Sequence, residues 1–151
     1  MRLSYWIILF IVALAVAPLS HFVPSKAQRR VSRLREYAAV SGLFVEFRDP
    51  PGHGSGRQNS RTGQTIYYGK RVRSQGLGPQ SRVSWRVSTG GWVEHTRGTG
   101  LPHQLSELPQ GILGASADPD SCGIYWQETG GEAEIDKVCE VLESLAISLY
   151  S

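Results

Sequence analysis

At 151 residues, with 40 % hydrophobic and 19 % charged side chains, the chain holds enough for one small domain after an N-terminal segment and excludes two. A net charge of +3 hides an imbalance: residues 26–73 carry 11 Lys and Arg against 3 acids, and residues 107–151 carry 1 against 9. Cys122 and Cys139 lie too far apart in sequence for the close-spaced ligand pair of a zinc site, as do His95 and His103.

From Leu3 to Val23 there is no Asp, Glu, Lys or Arg. As a helix these residues would extend roughly 31 Å, about the thickness of a bilayer's hydrocarbon. Tyr5 and Trp6 at one end, and Phe22 at the other, suit the headgroup level. A cleaved signal peptide is the rival reading, with Ala15-Val16-Ala17 as its cleavage motif. Pro18 fits the scissile position poorly, and the apolar run continues through Leu19, Phe22 and Val23. The expectation is therefore a transmembrane anchor over residues 1–24 that stays with the protein. Arg2 precedes it, and Lys26, Arg29, Arg30, Arg33 and Arg35 follow it. Flanking cations resist translocation, which predicts a single-pass protein with its N-terminus outside and its domain in the cytoplasm. The same five residues are the candidate membrane-interface site for anionic lipid. In the cytoplasm both cysteines would stay reduced, whereas a Cys122–Cys139 disulfide would signal the opposite topology.

Residues 25–42 read as a basic juxtamembrane helix. Ser25 is its N-cap, Val31, Leu34 and Ala38 line one face, Arg29, Arg33 and Glu36 the other, and Gly42 ends it. Residues 43–151 read as the small cytoplasmic domain. Leu43, Val45 and Phe47 alternate with Glu46 and Arg48 along a strand at 43–48. The stretch 49–64, with four glycines and two prolines, reads as a flexible loop. A strand at 65–72 and a short loop at 74–81 precede a hairpin at 82–96 that turns at Ser88-Thr89-Gly90-Gly91. One helical turn at 101–109 leads to strands at 111–116 and 122–128 around an Asp-Pro-Asp-Ser turn. Finally Ile135, Val138, Cys139, Leu142, Leu145, Ala146 and Leu149 make an apolar stripe on an acidic helix. The fold class expected is α+β: a mostly antiparallel sheet covered by the C-terminal amphipathic helix.

Chemistry is sparse. The glycines of "GHGSGR", 52–57, are followed by no Gly-Lys-Ser/Thr and no helix, so a phosphate loop is not expected. His53, His95 and His103 have no accompanying nucleophile motif. No catalytic residue, cofactor site or metal site is assigned, and a non-enzymatic protein is expected. Tyr67 and Tyr68 among the cations of 26–73, with Trp85 shortly after, raise binding of nucleic acid or anionic lipid as the alternative, with nucleic acid disfavoured because alternating aromatics more often form a core.

The apolar span 3–23, the basic "PSKAQRRVSRLRE" at 24–36 and the "VSTGGW" at 87–92 resemble the YajC subunit of the bacterial Sec preprotein translocase. About a third of the chain carries the resemblance. It departs from the family where no Asp follows Ser41-Gly42, where "VSTGG" arrives some fifty residues late, and in the last seventy residues. What the resemblance implies is an inner-membrane accessory of protein transport, with lipid bilayer and translocase components as partners.

Overall fold

The computed structural model describes residues 2–17, 25–52, 65–73, 76 and 78–151. The chain divides into two units, Met1–Ser32 and Arg33–Ser151.

In the first unit, helix α1 (Arg2–Val16) is apolar on every side and buries no residue. At 15 residues it is about 22 Å long. No helix among the described residues is long and apolar enough to cross a membrane. The remainder of the expected anchor, 18–24, lies outside the described residues. Helix α2 (Lys26–Val40) starts where Ser25 predicts. The Ser25 amide donates to Gln28 Oε1 at 3.0 Å and the Gln28 amide to Ser25 Oγ at 3.2 Å, a reciprocal cap.

The second unit takes up α2 at Arg33. The helix ends in a Schellman turn: the Leu43 amide bonds the Ala38 carbonyl and the Gly42 amide that of Ala39. Gly42 supplies the left-handed φ of 85° which that turn requires.

Six strands follow: β1 (Phe44–Phe47), β2 (Ile66–Arg71), β3 (Val83–Ser88), β4 (Gly91–Glu94), β5 (Ile112–Asp118) and β6 (Ser121–Trp126). Every pairing is antiparallel, in the order β1-β2-β6-β5-β3-β4. The β5–β6 hairpin is central. It turns at Pro119-Asp120, with Asp118 opposite Ser121. The β3–β4 hairpin turns at Thr89-Gly90, because Ser88 pairs with Gly91. Between them His103–Glu107 forms a short 3-10 helix, and α3 (Glu132–Tyr150) closes the chain. The expected α+β class, antiparallel sheet and C-terminal helix are all present. β6 stops at Trp126, two residues before the expected end, because Glu128 takes a φ of 56° that no strand accommodates.

Period-2 alternation sorts the side chains. Ile66, Tyr68, Trp85, Ala115, Ala117, Cys122, Ile124 and Trp126 share one core with Leu34 and Ala38 of α2 and with Ile135, Val138, Leu142 and Leu145 of α3. Each large apolar side chain buried there contributes about 1.5–3 kcal/mol. Two indoles are tied to carbonyls: Trp85 Nε1 donates to Gly100 and Trp126 Nε1 to Gln110.

The opposite face of the sheet is not left to solvent. Tyr67, Tyr125, Ser84 and Ser116 are buried there as well. Pro51 lies over Gly114, where a Cβ would stand 3.2 Å from it. The rings of Tyr67 and Phe44 lie over Gly123 and Gly69, which a Cβ on either glycine would penetrate.

Candidate functional site

The candidate lipid-facing cations separate. Lys26, Arg29 and Arg30, in the first unit, are exposed, and their spacing of three and four residues puts them on one side of α2. Arg33 is exposed as well. Arg35 is not available in the same way. Its Nε donates to Glu128 Oε1 at 2.8 Å and its Nη2 to Glu128 Oε2 at 2.9 Å, a two-pronged pair with a carboxylate that is 7 % exposed. Tyr68 adds a third bond, from its hydroxyl to Glu128 Oε1 at 2.6 Å. Burial raises the Tyr68 pKa, and the adjoining carboxylate raises it further, so the phenol stays a donor. Glu128 is the one described non-glycine residue with a positive φ. Arg35 also stands over the ring of Phe47 at 5.7 Å. The Arg35–Glu128–Tyr68 group thus fastens the C-terminal half of α2 to the sheet. Sequence reading missed it, because nothing local links a helix residue to a loop residue 93 positions away.

A second charged group lies on the opposite face. Asp118 accepts from Arg82 Nε at 2.6 Å, Arg82 Nη2 at 3.1 Å and Arg48 Nη1 at 3.2 Å, while Arg48 Nε also reaches Glu46 at 2.8 Å. Burial alone would raise the Asp118 pKa, but the two guanidinium groups hold it below the usual carboxylate range. Arg48 covers the Tyr67 ring at 4.2 Å. The Tyr67 hydroxyl is buried with no hydrogen-bond partner among the described residues. Burial pushes its pKa up, offset in part by the Arg48 charge, so this phenol also stays protonated. Beside the group is a depression of about 260 Å³, lined by Phe44, Glu46, Arg48, Arg71 and Asp118 among others. Of its charged lining, Arg48 pairs with Glu46 and Asp118, and Arg71 stands over the Phe44 ring at 5.4 Å.

The remaining candidates stay apart. His95 follows β4, with its ring beside Gly52, and His103 opens the 3-10 helix. His53 and the rest of the glycine-rich stretch, 53–64, lie outside the described residues. Among the described residues no three His, Cys, Asp or Glu side chains gather as a metal site requires. Cys122 and Cys139 are both free thiols, the first buried with its pKa pushed up to about 12 by desolvation. Tyr67, Tyr68 and Trp85 are fully buried, so these three rings offer no surface on which a base could stack. Compared with family models, with curated proteins and with solved structures, the chain shows no match.

Proposed function

We propose that the chain is a membrane-anchored, non-enzymatic interaction protein of the bacterial inner membrane, whose α+β domain faces the cytoplasm and docks on another membrane protein. The observation that carries this reading is α1. Its large apolar side chains, from Leu3 to Val16, are 53–78 % exposed, and none is buried against protein. So much uncovered hydrocarbon is costly in water and stable in lipid. In sequence the run without Asp, Glu, Lys or Arg continues to Val23, which is the length that a bilayer crossing requires of a helix. The cations after it favour retention of the C-terminal side in the cytoplasm. A role beside the Sec translocase is the partner that the YajC resemblance suggests.

Extraction of membranes with alkaline carbonate tests the anchor: the protein should stay in the pellet, and recovery in the supernatant would overturn the reading. Orientation is tested with Arg97→Cys in the exposed loop after β4. An impermeant maleimide should label it only after the cells are opened, and labelling of intact cells would reverse the topology. Affinity purification of the full chain from detergent-solubilised membranes should bring down a partner in stoichiometric amount. A chain recovered alone would refute the docking role.

A further inference from the structure

We infer that the first two turns of α2 are a recognition surface for anionic phospholipid, with Lys26, Arg29 and Arg30 as the contacts and Arg35 excluded. The inference rests on the anchor reading and narrows its lipid class. Three observations support it. Lys26, Arg29 and Arg30 project from one side of the helix and are exposed. The reciprocal cap between Ser25 and Gln28 fixes the helix start, so these cations sit on ordered backbone directly after the apolar segment. Arg35, which sequence alone would add to the group, is committed to Glu128 in the domain.

Guanidinium groups fit a phosphate with two parallel N–H donors, and an ammonium group supplies a compact charge beside them. A phosphodiester headgroup with a net negative charge is the matching ligand; a zwitterionic one offers the same phosphate with its charge cancelled. Single-stranded nucleic acid carries phosphates too, but it would need aromatic rings beside the cations for stacking, and residues 26–33 contain none.

The test uses the full chain in vesicles of phosphatidylcholine, with and without about 30 mol % phosphatidylglycerol, the anionic probe. Amide hydrogen exchange over 26–33 is the readout. Each cation near an anionic surface is worth roughly fivefold in association, so exchange should slow at least about tenfold in the anionic vesicles. The difference should shrink at about 300 mM salt, where the screening length falls to a few ångströms. It should vanish in K26Q/R29Q/R30Q and persist in the exposed-site control R73Q/R97Q. Equal exchange in both vesicles, with the protein floating in each, overturns the inference and leaves the anchor standing. Failure to float with either vesicle overturns the anchor, and the lipid class falls with it. Equal protection by a single-stranded DNA oligonucleotide in place of phosphatidylglycerol would show a general polyanion surface and also overturn it.

Discussion

Replacing Glu128 by glutamine keeps the side chain's shape but removes the charge that Arg35 and Tyr68 both address. Because Arg35 would then be half-buried without a counter-ion, Glu128→Gln should cost about 2 kcal/mol, read as a lowered urea midpoint. Glu128→Gly should be milder than Glu128→Ala by about 1 kcal/mol, since the φ of 56° suits glycine and strains alanine. The same melts settle it, and equal losses would mean that the backbone there is unstrained. Asp118 gives a pH dependence of defined sign. Its folded pKa lies below its unfolded one, so its stabilisation is complete above about pH 4 and is lost as pH falls through the folded value. Urea midpoints measured between pH 6 and pH 2 should fall less steeply in Asp118→Asn than in the parent protein.

Among the elements, β2 and β6 meet at two glycines that face one another, Gly69 and Gly123. A Cβ at Gly123 would stand 2.5 Å from the Tyr68 carbonyl and 2.7 Å from the Gly69 Cα, both backbone atoms that cannot turn aside. Gly123→Ala should therefore cost more than about 3 kcal/mol, while Gly90→Ala, in the open turn between β3 and β4, should cost less than about 1 kcal/mol. Thermal melts of the pair test this directly. Neither glycine stood out in the sequence, because strand alternation predicts which face a residue joins and not which ring will lie across it. What sequence did make legible was local. The Ser25 cap, the Gly42 stop, the tight β3–β4 turn and the apolar stripe of α3 are each written within a few residues, and all were found. The α3 stripe was incomplete even so: Val141 and Tyr150 are buried too, the latter with its hydroxyl against the Asp118 and Ser121 carbonyls. The misplaced end of β6 and the diversion of Arg35 both depend on partners distant in sequence, which periodicity cannot reach.

In the molecule as a whole, part of the opposed charge of the two halves is joined within the fold. Arg35–Glu128, Arg48–Asp118 and Lys70–Glu143 each join the basic half to the acidic one. Among the described residues the core cluster lies within Arg33–Ser151, so a fragment of residues 25–151 should unfold in a single transition with the midpoint of the full chain. A broad or displaced transition would show that the N-terminal segment shares in that core. Strand order also sets a timetable for biosynthesis. β2 pairs with β6, whose first residue is made 50 residues after β2 ends, a gap of about 3–10 s at ribosomal speed. During that interval Ile66, Tyr67 and Tyr68 have β1 on one side and no strand on the other, and Arg35, Arg48 and Lys70 have yet to meet Glu128, Asp118 and Glu143. The nascent chain is for those seconds a sticky polycation on the ribosome, and a chaperone or a nearby lipid surface has that long to capture it before the acidic half neutralises it.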